Sequence, residues 1–407
     1  MMKVPFCLPL IDQDVINEVN DALINTGWLT TGPKVQAFEE EIKKITSARE
    51  VLCVNSWNSG TTLALKWWGI KPGDEIIIPA YTYSATALTV MNLGAKAVMV
   101  DVEDDFNISV QKIKSAITAK TKCIIPVDIG GYPCDYDEIF ELVEDPAIKR
   151  LFIPESENQE RLNRILVLAD SAHSIGALYK KRHSGALADI SVFSFHSVKN
   201  ITTGEGGAVC LNVPGLSNSD IKAFLKHFYL YGQTKSALDK TRTGSWRYDI
   251  VSQGMKGNMP DICASIGLAQ IRKYTTDLLP ERKEIFARYN SAFQKFEWAV
   301  LPPHETDIKK SSCHLYMLRI RSISEYQRDK MIEYVSKRGV GVGVHYIPMA
   351  MFSLFKNKGY NIKDYPNTFQ NYEREISLPI YNGLTVDQID YVIDTVINAY
   401  TDVISYS

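Results

Sequence analysis

Ser194-Phe-His-Ser-Val-Lys199-Asn-Ile-Thr-Thr-Gly204-Glu-Gly-Gly207 is the stretch on which the reading of this chain turns. The apolar run Ile190 to Phe195 before it reads as a strand, and Ala208 to Leu211 after it as a second. One lysine is held between them, in a short loop that runs into glycine-rich turn chemistry. A lysine fixed between buried strands is partly desolvated, which favours its neutral amine and makes it a nucleophile toward aldehydes. A lone lysine in a loop has an ordinary alternative, a solvated surface position, and its own neighbours leave both readings open.

Outward from that stretch, strand and helix alternate. Val51 to Val54, Glu75 to Ile78, Ala97 to Val100, Lys122 to Val127 and Ile165 to Leu168 are short apolar runs. Helical patterns cover 63–68, 84–93, 108–117 and 137–143 between them. Apolar strands separated by helices predict a mainly parallel sheet covered on both faces. Amphipathic helices over 14–24 and 34–46 precede this unit. Helix 220–229, a polar loop 232–249 and a long helix over 260–290, interrupted near Pro280, follow it. His314 to Ile320, a helix at 325–338, Val340 to Tyr346 and a terminal helix 386–400 suggest a smaller α/β unit. The expected division is a large domain over 1–275 and a small C-terminal domain over 276–407.

The 407 residues, 45% hydrophobic and 23% charged, have the composition of a globular protein with sizeable cores. A net charge of -2 without a basic run gives no support for nucleic acid as a partner. No stretch approaches the roughly 18 apolar residues of a membrane span, and no signal peptide is visible, so a cytoplasmic location is expected. The seven cysteines form no C-x-x-C pair and read as buried, reduced thiols. The seven histidines have no metal-ligand spacing, so no metal is expected.

Three further places share the chemistry of the lysine loop. Asn55 to Thr62 leads from a buried strand into a helix, whose free N–H groups and dipole outline a phosphate site. Thr61 and Thr62 add hydroxyls there and Gly60 permits close approach; a plain helix cap is the alternative. Asp170 ends a strand, where ligands bind in open parallel sheets, and small residues follow it. It suits a protonated ring nitrogen or, equally, a helix cap. Tyr83, past another strand end, suits stacking on a planar group or a place in a core. Together these features make a phosphate cradle, a stacking ring, an acid and a buried lysine, the four requirements of pyridoxal phosphate.

With these motifs in view, the sequence resembles the DegT/DnrJ/StrS-type sugar aminotransferases, which are fold type I pyridoxal-phosphate enzymes. Supporting segments are Gly27-Trp-Leu-Thr-Thr-Gly-Pro33, Gly60-Thr-Thr-Leu-Ala-Leu65, Gly73-Asp-Glu-Ile-Ile-Ile-Pro79 with Thr82-Tyr83, and Ala169-Asp-Ser-Ala-His173. The lysine segment, His345-Tyr-Ile-Pro348 and Ser377-Leu-Pro379 extend the likeness over nearly the whole chain. The resemblance implies that Lys199 forms the internal aldimine and shuttles the proton. By the same likeness Asp170 faces the pyridine nitrogen, and His173 lies against the ring or its 3-hydroxyl. Tyr83 stacks, and Thr61, Thr62 and Ser194 hold the phosphate. It implies a homodimer in which Lys256 and Asn258 reach the partner's phosphate. It also implies amino transfer from glutamate to a nucleotide-linked keto sugar, most often 4-keto-6-deoxy. Cyclitols or other non-nucleotide ketones are alternative acceptors, and a non-catalytic cofactor-bound regulator is a further alternative. Two departures from the family pattern stand out, Asp128 and Met349 or Ala350 where histidines are frequent. The 154–164 stretch reads as an insertion, and Lys240, Arg242 and Arg247 as candidates for a diphosphate or a solvated loop.

Overall fold

The computed structural model describes residues 2–241 and 243–405. A seven-stranded sheet organises the larger part of the chain. Its strands are β1 (Glu50–Val54), β2 (Glu75–Pro79), β3 (Lys96–Val100), β4 (Thr121–Ile124), β5 (Leu166–Asp170), β6 (Ile190–Ser194) and β7 (Gly207–Leu211). The spatial order is β1-β7-β6-β5-β4-β2-β3. Only β7 runs antiparallel to its neighbours, pairing Ser194 with Gly207 on one side and Val54 with Gly207 on the other. The other six strands share one direction, so their carboxyl ends lie along one edge. Runs such as Ile76-Ile77-Ile78 and Leu166 to Ala169 are wholly buried, because helices cover both faces.

The helix after β1 spans Trp57–Trp68, six residues earlier than its apolar pattern suggests. Ser56 caps it, accepting the Ser59 N–H at 3.1 Å. The polar stretch 154–164 holds a short helix, Glu157–Leu162, and closes the other end of the same helix. Ser156 Oγ and Gln159 Nε2 donate to the Trp68 carbonyl at 3.0 and 2.9 Å, and Asn158 Nδ2 to that of Trp67 at 2.7 Å. These bonds satisfy carbonyls that a helix end leaves bare.

Asp261–Ile271 and Leu279–Phe293 are separate helices joined by the wide turn Tyr274–Leu278. The interruption therefore comes before Pro280, which sits in the first turn of the second helix, where its missing N–H is harmless. A second, antiparallel sheet joins β8 (Ala299–Val300), β9 (Tyr316–Ile320) and β10 (Glu375–Leu378). Helices Glu325–Lys337 and Val386–Ser405 cover it. Val4 is buried in this second core beside Val340, so the start of the chain crosses to the C-terminal unit. Residues 340–346 form only isolated bridges rather than a strand. Five cysteines are buried and Cys7 and Cys263 half-buried, all as free thiols. Among the described residues no helix is long and apolar enough to cross a membrane.

Arg164, the last residue of the 154–164 stretch, forks onto buried Asp189 with two bonds of 2.7 Å and also meets Glu144. Arg164→Met would leave a buried carboxylate unpaired and should cost about 3–5 kcal/mol, read as a lower urea midpoint. Arg164→Met/Asp189→Asn should recover most of that loss; equal losses in both variants would contradict the account.

Candidate active site

Four strand ends converge on one cavity of about 360 Å³. Ser56, Trp57 and Asn58 enter after β1, Thr82 and Tyr83 after β2, Asp170 and His173 at and after β5, and Ser194 at the end of β6. Lys199 lines the same cavity from the return loop between β6 and β7, half-buried. That loop is anchored on both sides of the lysine. Phe195 and Ile201 are fully buried, and Asn200 donates to the Ser312 carbonyl at 2.9 Å and the Tyr274 hydroxyl at 3.1 Å. The Thr202 N–H donates to Gln270 at 3.0 Å. These anchors fix the backbone that carries Lys199 at the cavity wall.

Burial sets the electrostatics. It pulls the Lys199 amine down to about 8, with Asp170 opposing. It pushes Asp170 up to about 6, opposed by the Ala172 N–H, the Thr86 hydroxyl at 3.0 Å and the Lys199 charge. At neutral pH the site therefore holds an ionised acid and an amine that releases its proton readily. His173 is driven well below its usual value by burial and then by Lys199, so its ring is neutral. Gly130 N–H meets its Nδ1 at 3.3 Å, and Tyr346 Oη lies 3.0 Å from its Nε2.

The structure thus brings together Lys199, Asp170, His173, Tyr83 and Ser194. It does not bring Thr61 and Thr62 to the cavity. With the helix starting at Trp57, both lie in its second turn, and Thr61 is fully buried with its hydroxyl unpaired. The free N–H groups at the helix start belong to Trp57 and Asn58. Gly60 serves packing: a Cβ there would come within 2.9 Å of Val192 and Val209. At Gly207 a Cβ would lie 2.9 Å from the Trp57 nitrogen, so this glycine lets the helix start approach the sheet edge. The signal for the earlier start was Ser56, a capping residue three positions before Ser59.

Lys256 and Asn258 also lie outside the cavity of their own chain. Lys256 is exposed, and Asn258 is buried with its amide on Thr31 Oγ1 at 2.7 Å. Asp128 turns inward, accepting from Tyr136 at 2.8 Å and Ser174 at 2.7 Å, and Met349 and Ala350 belong to the large core. Lys240 packs on the Tyr248 ring and Arg247 on Trp246; Arg242 lies outside the described residues. Tyr346, His345 and Thr86 also line the cavity, and His314, joined to Asn200 at 2.8 Å, packs against the His173 ring; patterning alone gave none of them a role.

The residues present fit pyridoxal phosphate. Asn55 Oδ1 and Trp57 Nε1 are buried without a partner beside the capped helix start. A buried acid, an exposed aromatic ring and a lysine of lowered basicity surround the remaining space. The sequence model of the DegT/DnrJ/EryC1/StrS aminotransferase family matches residues 9–152 and 153–397. The chain belongs to this family. It is 34% identical over 397 residues to the spore coat polysaccharide biosynthesis protein SpsC of Bacillus subtilis, with 96% of each chain covered. Spr1654 of Streptococcus pneumoniae, described as a sugar aminotransferase and solved in a PMP form, superposes with TM-score 0.94. The identity is 39% over 98% of this chain and 100% of that one. PseC of Helicobacter pylori, an aminotransferase involved in the biosynthesis of pseudoaminic acid, gives TM-score 0.84 and 25% identity, covering 98% and 100%. The architecture is that of the fold type I sugar aminotransferases of this family.

Beneath the cavity, Glu375 holds the 345–346 segment by accepting the His345 N–H at 2.9 Å, and it also accepts the Ser377 hydroxyl. Burial pushes its carboxyl up to about 8. A carboxyl raised in the fold contributes stability that is full below about pH 4.5 and lost as pH rises through about 8. Melting curves of wild type and Glu375→Gln should therefore diverge in favour of the glutamine variant between those values. Parallel curves would contradict the assignment.

Proposed function

We propose that this family member moves an amino group from glutamate to a keto sugar carried on a nucleotide, at the 4-position of a 6-deoxy sugar, using pyridoxal phosphate on Lys199. The single observation that carries the reading is one cavity holding Lys199, Asp170, Tyr83 and a capped helix start. When bound, the cofactor supplies an aldehyde for the amino group and a ring that accepts electrons. Asp170, ionised, keeps a proton on the ring nitrogen, and Tyr83 covers one face. The N–H groups of Trp57 and Asn58 with the Ser194 hydroxyl receive the phosphate. Lys199, once freed, carries the proton to and from the substrate carbon. A sugar acceptor is supported by the polysaccharide and pseudoaminic acid roles in the names of SpsC and PseC.

We further infer a homodimer working in the cytoplasm. Exposed Tyr231, Trp246, Tyr248, Ile250 and Val251 support an apolar contact face next to the 254–259 segment. Across it, Lys256 and Asn258 would serve the partner's phosphate rather than their own chain's. The division into 1–275 and 276–407 is proposed on the two separate cores, with Val4 as a tie between them.

Borohydride treatment of pyridoxal-phosphate-loaded protein should fix the cofactor on the peptide that contains Lys199. Lys199→Ala should keep phosphate binding and dimerisation but lose turnover by at least about a thousandfold. Label on another lysine, or near-normal turnover in the variant, would overturn the assignment. Protein converted to its amine form with glutamate should be restored by a nucleotide keto sugar; restoration by an inosose alone would make the acceptor a cyclitol.

A further inference from the structure

Hydrogen-bond direction around His173 says where the Tyr346 proton goes. Gly130 N–H, 3.3 Å from Nδ1, requires a lone pair on that nitrogen. The neutral ring then carries its one proton on Nε2, which is 3.0 Å from Tyr346 Oη and donates to it. The phenol's own proton must point elsewhere, and among the described residues its hydroxyl has no second side-chain partner. Burial holds Tyr346 well above the usual range for a phenol, so that proton stays on at working pH. Tyr346 lines the cavity with Asp170, Tyr83 and Lys199, its ring 5.8 Å from that of Tyr83.

Three walls of the cavity are taken by the proposed binding mode, on which this inference rests. Asp170 faces the ring nitrogen, Lys199 the aldehyde carbon, and the helix start the phosphate. On a pyridoxal ring the phosphate arm and the ring oxygen flank the aldehyde carbon on opposite sides. Along the sheet, the helix start follows β1, on one side of Asp170. Gly130, which fixes the His173 tautomer, follows β4 on the other. The ring oxygen accordingly falls on the side of His173 and Tyr346. We propose that the Tyr346 hydroxyl donates a hydrogen bond to the ring oxygen of pyridoxal phosphate, with His173 as the residue that aims it.

A neutral donor draws negative charge from that oxygen and weakens its hold on the proton it shares with the lysine nitrogen. The visible absorbance of the lysine-bound cofactor reports this proton directly. In Tyr346→Phe its titration should move up by about one pH unit. Replacing Tyr346 by 3-fluorotyrosine, an isosteric and more acidic phenol, should move it down and tests the same bond if the phenylalanine variant fails to fold. Asp170, Lys199, Tyr83, His173, His345 and Glu375, the titratable groups around this hydroxyl, are unchanged in both variants. A structural role alone would alter the melting temperature or cofactor affinity without opposite shifts in the titration. An unchanged titration in either folded variant overturns the Tyr346 assignment and leaves the Lys199 reading intact. Absence of any visible band in loaded wild type overturns the Lys199 reading and, with it, this one.

Discussion

The site depends on how closely the start of the Trp57–Trp68 helix sits against the edge of the sheet. Two glycines set that distance. Gly60 lets the first turn lie on Val192 and Val209, and Gly207 leaves room for the backbone of Ser56 and Trp57. Because Gly207 pairs with Ser194, the same glycine joins the helix start to the end of β6. The antiparallel return of β7 then places the Lys199 loop over the same edge. One close approach thus brings an anion-favouring helix end, a serine and a lysine into one cavity.

Inside that cavity the acid and the amine are opposed in burial and coupled in charge. Withdrawal from water raises Asp170 and lowers Lys199, and each partly restores the other's charged form. Asp170 is also held by Thr86 and the Ala172 N–H, so it keeps its charge without an ion-pair partner in contact. The neutral His173 and His314 rings stand 4.3 Å apart, adding shape and directed hydrogen bonds without further charge. An acid for a ring nitrogen and an amine with a mobile proton are what amino transfer asks of the protein.

Much of this was legible in the sequence. Wholly apolar strands gave the parallel sheet, and Asp170, Tyr83 and Lys199 could be placed at its carboxyl edge from strand ends, with Ser194 added only by the family resemblance. The helix after β1 was read too late, because Trp57 to Thr62 lacks an apolar stripe and its start is set by the Ser56 cap. The phosphate wall was therefore assigned to Thr61 and Thr62, which the earlier start moves into the second turn, Thr61 fully buried and Thr62 half-buried away from the cavity. Tyr346 stood in a quoted motif but was given no role, for a different reason. Its partner in space, His173, lies 173 residues away in the chain, and no periodicity records such a meeting. The 154–164 stretch showed its polarity but not its task, since the carbonyls it caps belong to Trp67 and Trp68.

A crystal structure of the protein with pyridoxal phosphate bound tests this account most directly. The phosphate should rest on the N–H groups of Trp57 and Asn58 and on the Ser194 hydroxyl, with the ring nitrogen against Asp170 and the aldehyde carbon joined to Lys199. A phosphate held by Thr61 and Thr62, or a ring turned with its nitrogen away from Asp170, would contradict it.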